Sequence, residues 1–204
     1  ESFTHDDHNP NSLNSDKLLS LIPGRSNDLW IGTLGAGLEQ FSLKTRKVTH
    51  YPANPQNERG LVNDTVVRLY QDQKGKLWTG TFRGLSSLND NSTFNRYLMY
   101  PADTAQFGRN IVTSVLQNNT NKYWVGSFVG GGIHLLDPEK DILKTYLQSV
   151  SVTGVMKDSR GTLWVGAIEG LFYYDNAIDS FLRYNDPTGL IQIGNVLSMV
   201  EDDD

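Results

Sequence analysis

The chain contains no cysteine, and no apolar run among its 204 residues approaches the length of a membrane span. A helix needs ~20 predominantly apolar residues to cross a bilayer, so we expect no membrane contact by this segment. The absence of cysteine suits an oxidising compartment without free thiols, but it is equally common inside cells. Neither absence identifies the compartment.

An excess of basic residues is also missing. The chain has 18 Lys and Arg against 23 Asp and Glu, and four of the acidic residues are Glu201 to Asp204. The rest of the chain is therefore close to neutral and lacks the basic surface that a nucleic-acid-binding protein presents. We exclude nucleic acid as a partner.

A helical period of apolar residues is not sustained anywhere, whereas 19 glycines and 7 prolines interrupt the chain at turn spacing. The content of 38% hydrophobic and 10% aromatic residues is that of a globular domain with a substantial core. The sequence therefore predicts a globular all-β fold.

One five-residue unit occurs four times. It reads LWIGT at Leu29–Thr33, LWTGT at Leu77–Thr81, YWVGS at Tyr123–Ser127 and LWVGA at Leu163–Ala167. All four tryptophans of the chain occupy its second position, 40 to 48 residues apart. A period of roughly 40 to 45 residues is that of a four-stranded propeller blade.

The fourth copy shows how one repeat makes four strands. Val152–Met156 is a β-branched and apolar run, and the KDSRGT sequence after it favours a tight hairpin. LWVGA is the second strand, Leu171–Tyr174 the third and Phe181–Tyr184 the fourth. The other copies have first strands at Leu18–Ile22, Val66–Tyr70 and Ile111–Leu116, and fourth strands that end at Tyr51, Tyr97 and Tyr146.

The sequence thus predicts a partial β-propeller of about four and a half blades with four antiparallel strands each. Complete blades are expected at residues 11–51, 61–97, 108–146 and 150–184, between a blade remnant at 1–10 and the start of another blade at 190–204. Ser2–His5 resembles the strand end Val48–Tyr51, and Val196–Asp203 resembles the strand start Val66–Asp72. These two pieces lack the strands that would join them in one blade, so we expect at least one further repeat on each side.

The repeat resembles the two-component regulator propeller repeat over nearly the whole chain. That pattern has an asparagine-rich lead, a short apolar strand, an Asp-x-x-Gly turn, LWIGT, a Gly-Leu strand, an Asp turn and an aromatic residue before a Tyr. The matching segments are the lead Asn11–Ser15, the turns Asp72–Gly75 and Asp158–Gly161, and Gly170–Asp175. The turns Pro23–Asp28 and Gln117–Lys122 depart from the Asp-x-x-Gly form, and Gly130–Gly132 is an extra glycine run.

The resemblance implies a periplasmic sensor segment of a membrane-anchored bacterial regulator. Members of this family carry two seven-bladed propellers before a membrane helix and a histidine kinase or diguanylate cyclase, and in gut bacteria they respond to glycan fragments. For this chain it implies a place in a seven-bladed ring, packed against the remaining blades of the same parent chain. It also implies a small-molecule or oligosaccharide ligand and a homodimer that transmits by rearrangement. It implies no cofactor and no enzymatic activity of the chain itself.

Two alternatives stay open beside the sensor. One is a glycan-active propeller enzyme, sialidase-like or lyase-like, and the other is a protein-interaction scaffold. An acid pair facing the channel would favour the enzyme, and an exposed apolar rim without a pocket would favour the scaffold.

The tryptophans could stack on sugars, but the same position in every repeat favours packing between blades. We therefore assign the repeat core to Trp30, Trp78, Trp124 and Trp164 with Gly32, Gly80, Gly126 and Gly166.

No catalytic or metal-ligating residue is predicted. Asp72, Asp158 and Asp202 could bind calcium, and their arrangement resembles the Asp box of sialidase propellers, but each stands alone in its blade, which favours hairpin capping. The four histidines, His5, His8, His50 and His134, lack the short spacing of a zinc site. No nucleophile elbow, phosphate loop or HExxH sequence occurs.

Ligand contacts are expected on the loops between second and third strands and at the entry to first strands, because loops carry the variation between blades. Arg83 and Arg109 could bind a carboxylate or sulfate, and Phe82 or Phe128 could stack on a sugar face. The alternative for each is a solvated loop residue. The candidate positions are Phe82, Arg83, Phe128, Glu169, Asn63, Arg109, Asn110 and Asn195.

Overall fold

A computed structural model of the chain describes residues 2–25, 27–54, 56–101, 107–118, 120–189 and 193–202. In these residues, four antiparallel sheets each contain four consecutive strands in sequence order. The all-β class is confirmed, and the helical structure in the described residues is one short 3-10 helix, Phe107–Asn110, which the sequence pattern does not predict. None of the described helical structure is long and apolar enough to cross a membrane.

The chain divides into two compact units, and the first is Glu1–Leu98. It contains two sheets, which we call the first and second blades. The first blade is β1 (Leu18–Pro23), β2 (Asp28–Thr33), β3 (Leu38–Ser42) and β4 (Val48–Tyr51). The second blade is β5 (Val66–Gln71), β6 (Leu77–Thr81), β7 (Gly84–Leu88) and β8 (Phe94–Tyr97).

The second unit, Met99–Asp204, contains the third and fourth blades. The third blade is β9 (Val112–Gln117), β10 (Tyr123–Ser127), β11 (Gly132–Asp137) and β12 (Asp141–Tyr146). The fourth blade is β13 (Val152–Lys157), β14 (Leu163–Ala167), β15 (Gly170–Asp175) and β16 (Ser180–Arg183).

Strand positions follow the repeat closely. Each five-residue unit forms the second strand of its blade, and each first strand ends one residue later than predicted. The first strand of the third blade also begins one residue later, at Val112 rather than Ile111. The fourth strand of the last blade differs, because β16 ends at Arg183 rather than at Tyr184. Tyr184 nevertheless continues the pairing, since its N–H donates to the Leu171 carbonyl at 2.8 Å.

The tryptophan of one blade packs on the next blade within each unit. In the first unit Trp30 packs with Leu61, Leu69 and Phe94. In the second unit Trp124 belongs to a cluster that includes Val152, Leu163 and Phe181. Trp30, Trp78 and Trp124 are buried, and the partly buried Trp164 contacts the rings of Tyr173 and Tyr184. Burial of these rings between apolar side chains is the packing expected of stacked repeats.

The glycine of each unit allows the next blade to approach. A Cβ atom at Gly126 would lie 2.5 Å from Val152 Cγ1, and one at Gly32 would lie 2.6 Å from the Val66 carbonyl oxygen. Val66 and Val152 both begin the first strand of the following blade. The small residue therefore sets how closely adjacent blades pack.

The structure shifts the expected match between Ser2–His5 and the strand end Val48–Tyr51 by two residues. His5 forms a parallel bridge with Leu13, as Ala53 does with Leu61. Phe3, and not His5, therefore corresponds to Tyr51, and Phe3 packs on Phe41 with 4.7 Å between ring centroids. The connection before the first blade thus repeats the one between the first and second blades.

The C-terminal residues follow the path of a first strand without forming one in the described region. Thr153 donates its hydroxyl to the Val196 carbonyl at 2.5 Å, as Thr113 does to the Val152 carbonyl at 2.7 Å. Val196 therefore occupies the place that Val152 has one blade earlier. The expected remnant at 1–10, the expected blade start at 190–204 and the blade boundaries stay predictions.

Candidate functional site at the loop end of the blades

Three segments of each blade meet at one end because the strands are antiparallel. They are the start of the first strand, the loop between the second and third strands and the end of the fourth strand, and we call this the loop end. The Phe82 N–H donates to the Thr65 carbonyl at 3.1 Å, and the Phe128 N–H donates to the Ile111 carbonyl at 2.9 Å. All predicted ligand positions lie on such segments, at the loop ends of their own blades.

In the first unit, the accessible candidates are Phe82 and Arg83. Phe82 is 40% exposed, and Arg83 is exposed next to it. Asn63 has a local structural role, because its Oδ1 accepts a hydrogen bond from the Thr65 N–H at 3.0 Å and shapes the entry to β5. Such turns by asparagine side chains are common at strand ends.

In the second unit, two of the predicted ligand residues, Asn110 and Glu169, form hydrogen bonds with backbone groups. Buried Asn110 accepts from the Tyr100 N–H at 2.9 Å and donates to the Tyr100 carbonyl at 3.2 Å. Glu169 Oε2 accepts from the Ser151 N–H at 2.8 Å. These contacts explain both residues structurally, since buried backbone groups need partners.

The remaining candidates of the second unit are Arg109, Phe128 and Asn195, and their side chains differ in contacts and exposure. The Arg109 guanidinium lies 5.6 Å from the centroid of the Tyr100 ring, a cation–π geometry. Phe128 is partly buried, and Asn195 is exposed. Arg109 and Phe128 lie on adjacent segments, because Ile111 binds the Phe128 backbone.

A repeated apolar position at the loop end is a feature that the sequence reasoning found only in part. The residue after each five-residue unit is Leu34, Phe82, Phe128 or Ile168. In the first unit Leu34 and Phe82 are well exposed, and in the second unit Ile168 is exposed while Phe128 is partly buried. Aligning the repeats by their tryptophans would have revealed all four.

A cavity of about 440 Å³ lies at the loop end of the fourth blade. It is lined by residues 183–186, Gly189, Ile193 and Gly194. The sequence analysis did not predict these residues and named only the adjacent Asn195, because its candidates were confined to the loops between second and third strands and to the entries of first strands.

At the opposite end of the blades, the turn aspartates bind their own repeat. Asp158 Oδ2 accepts from the Trp164 indole at 2.9 Å, and Oδ1 accepts from the Thr162 N–H at 2.7 Å. The Trp164 hydrogen bond is the main cause that lowers the pKa of Asp158. In the described part of the chain no group of three or more His, Cys, Asp or Glu residues could hold a metal ion. Asp202 lies in the segment 193–202, outside any strand.

His134 and His50 both contact neighbouring side chains. His134 is fully buried, with Nδ1 2.9 Å from the Thr145 hydroxyl, and burial lowers its pKa to about 4. His50 lies 3.1 Å from Glu39 Oε1. A neutral buried imidazole at physiological pH is a packed group rather than an exposed acid or base.

Comparison with known proteins gives a family match and a longer relative. Residues 60–83 match the family model described as two component regulator propeller. Histidine kinase P4 of Formosa agariphila is 28% identical over 171 residues, which cover 80% of this chain and 12% of that protein. The chain therefore spans about an eighth of this relative, and the resemblance to the propeller repeat is confirmed.

Solved structures share the fold at low identity. The extracellular domain of a putative hybrid two component system from B. thetaiotaomicron superposes with a TM-score of 0.75 at 20% identity, covering 87% of this chain and 25% of that one. Virginiamycin B lyase from Staphylococcus aureus superposes with a TM-score of 0.67 at 15% identity, covering 87% of this chain and 59% of that one. Both likenesses concern the propeller fold alone.

Proposed function

We propose that this segment of two-component regulator propeller repeats belongs to the periplasmic sensor region of a membrane-anchored histidine kinase. The observation that carries the proposal is the 28% identity over 171 residues to a histidine kinase, together with the family match at residues 60–83. Because the relative is a kinase, we propose a kinase output rather than a diguanylate cyclase. The segment itself acts by binding and not by catalysis.

The ligand-binding surface in this proposal is the loop end. In the first unit the loop end of the second blade offers the Arg83 guanidinium and the apolar ring of Phe82. In the second unit the loop ends offer the Arg109 guanidinium, the ring of Phe128 and the cavity at the fourth blade. Planar donors and aromatic rings suit the hydroxyls and ring faces of an oligosaccharide, or a small molecule of similar polarity. Noncovalent recognition at this end would follow the general placement of function on loops.

Transmission would depend on a difference in ligand affinity between two arrangements of the receptor dimer. A ligand shifts such an equilibrium only through that difference. Ligand contacts that change with the arrangement of the dimer would therefore carry the signal to the kinase.

The proposal is tested in the full-length parent receptor with a transcriptional reporter. Arg83→Ala and Arg109→Ala should weaken the response to the inducing oligosaccharide at least tenfold, while Arg160→Ala, an exposed arginine in the turn between β13 and β14, serves as the matched control. An unchanged dose response in both loop-end variants would remove these residues from the binding surface.

A protein-interaction scaffold is the second candidate, because Leu34 and Phe82 expose apolar side chains at the loop ends of the first unit. Replacing both residues with Ser separates the two functions. A scaffold would lose its protein partner, whereas the sensor would keep its kinase assembly and lose ligand response only.

A further inference from the structure

The fourth strand of each blade has one position in a common register, and in the first two blades this position contacts the connection before the blade. This position lies immediately before the tyrosine that ends the fourth strand or, in the fourth blade, follows it. It pairs with a residue of the third strand, as Arg96 does with Ser86 and Arg183 does with Phe172. The four residues at this position are His50, Arg96, Thr145 and Arg183.

Arg96 shows what a guanidinium does at this position. Its Nε donates to the Gly60 carbonyl at 2.7 Å, and its Nη2 donates to the Asn57 and Leu61 carbonyls at 2.6 and 3.0 Å. A further carbonyl, that of Asn54, lies 3.1 Å from Nη2. The connection between the first and second blades is thus wrapped around one arginine, whose fixed fork of donors suits several oxygen acceptors.

The fourth blade has the arginine without such a connection. Residues 52–65 join β4 to β5, but only residues 147–151 join β12 to β13. Within the described residues, no hydrogen bond or ion pair reaches the Arg183 side chain, which is exposed. Its Nε and Nη2 instead lie 3.2 Å from the place that a Cβ atom on Gly170 would take, and the missing side chain of that glycine leaves room for the guanidinium.

Arg183 is one of the residues that line the cavity of about 440 Å³. Arg183 lines it together with Tyr184, whose ring is fixed against Trp164 with 5.5 Å between centroids. Asp186 also lines it, but this carboxylate accepts the Thr188 N–H at 3.1 Å and the Thr188 hydroxyl at 2.5 Å. Arg183 therefore places a cationic residue at a concave site with an aromatic neighbour, and small-ligand sites use a few such polar groups to orient the ligand.

We propose that Arg183 binds the carboxylate of a small acidic ligand in this cavity, with the ligand oxygens in the role that main-chain carbonyls have at Arg96. A carboxylate fits because it offers two coplanar acceptors to the guanidinium fork. A uronic acid and a simple carboxylic acid share this chemistry. The inference deepens the proposed function by naming a ligand class at the loop end, and it rests on that function only for its biological use.

Binding to the purified chain tests the inference without any signalling readout. Sodium glucuronate is titrated by calorimetry, with glucose as the neutral sugar and sodium acetate as the bare carboxylate. We expect glucuronate to bind, glucose to bind at least tenfold more weakly, and acetate binding to show how much the carboxylate contributes alone. Equal binding of glucose and glucuronate would overturn the assignment.

Substitutions test whether Arg183 is the residue that binds the carboxylate. Arg183→Gln should weaken glucuronate binding at least tenfold, Arg183→Lys should weaken it less because the charge stays and the fork is lost, and Arg160→Gln should leave it unchanged. Arg183 and Arg160 are both exposed, so all three variants should keep the thermal midpoint of the parent. Full glucuronate affinity in Arg183→Gln would refute the inference while leaving the sensor proposal intact, because that proposal is tested at Arg83 and Arg109.

Discussion

The carboxylate of Asp72 accepts a hydrogen bond from the indole nitrogen of Trp78, with 3.1 Å between Oδ2 and Nε1. Its other oxygen, Oδ1, accepts the N–H groups of Lys74 and Lys76 at 2.9 Å each. One side chain thus closes the hairpin between β5 and β6 and fixes the tryptophan of the same repeat. Asp158 and Trp164 repeat this arrangement in the fourth blade.

Replacing this carboxylate should destabilise the protein measurably. Asp72→Ala leaves three donors without their partner, and we expect a loss of about 1–3 kcal/mol in the free energy of unfolding. Asp72→Asn should lose less, since Asn118 accepts the Thr120 and Lys122 N–H groups at the same turn of the third blade. Urea denaturation measures both, with the exposed turn residue Asp90→Ala as control. Equal losses in Asp72→Ala and Asp90→Ala would contradict the assigned role.

The glycine of the five-residue unit should tolerate no side chain. Gly126→Ala would place a methyl group 2.5 Å from Val152 Cγ1, so we expect a loss of about 1–3 kcal/mol from overpacking. Gly154→Ala is the matched control, because its Cβ would meet only Met199 Cε at 3.8 Å. Thermal denaturation of both variants checks the prediction, which fails if Gly126→Ala melts with or above Gly154→Ala.

Acid should destabilise the second unit through His134. Burial lowers the pKa of His134 from 6.5 to about 4, so its contribution to stability is fully present above pH 6.5 and is lost as the pH falls towards 4. The loss over that window should be on the order of 3 kcal/mol. His134→Phe should remove this part of the pH dependence, because Phe172 occupies the same register position in the fourth blade.

Urea denaturation at pH 7.5 and pH 4.5 measures the effect for both proteins. We expect the difference in stability between the two pH values to be smaller in His134→Phe than in the parent. A parent and variant that lose the same stability on acidification would show that His134 does not carry the effect.

A tyrosine hydroxyl should add stability at the outer edge of the second unit. Tyr146 donates to Asp179 Oδ1 at 2.7 Å, and Asp179 also binds Lys144 Nζ at 2.7 Å. The contacts with Lys144, Tyr174 and Tyr146 hold the pKa of Asp179 far below its usual range. Tyr146→Phe should cost about 1 kcal/mol, as one hydrogen bond to a charged acceptor is lost.

Tyr173→Phe is the control for this change. Its ring packs on Trp164 with 5.9 Å between centroids, and its hydroxyl makes no hydrogen bond within the described residues. Comparable unfolding midpoints in urea for the two variants would argue against a stabilising role for the Tyr146 hydroxyl.

Much of the fold could be predicted from the sequence because the strands repeat. The four tryptophan units mark the second strands, and glycine or tyrosine at fixed distances marks the third and fourth strands. The register of the connections was less accessible. Tyr51 corresponds to Phe3 and not to His5, a shift of two residues that follows from the parallel bridge of His5 with Leu13. No periodicity of the sequence encodes this contact.

The candidate site was predicted only as a region. Loop position correctly brought Phe82 and Arg83 to an accessible surface, but it could not distinguish them from Asn63, whose side chain binds the backbone of its own turn. The cavity beside Arg183 was missed for a different reason. The predicted positions were confined to the loops between second and third strands and to the entries of first strands, whereas Arg183 and Tyr184 lie at the end of a fourth strand.

The four carbonyls gathered by Arg96 belong to the chain ahead of the second blade, whereas the arginine itself sits on the last strand of that blade. The connection of residues 52–65 is therefore structurally part of the second blade, which follows it. Anyone who grafts or exchanges modules of this kind should cut immediately after Tyr51 and carry residues 52–65 along with the transplant, because a cut at Val66 would separate the arginine from the oxygens that it holds.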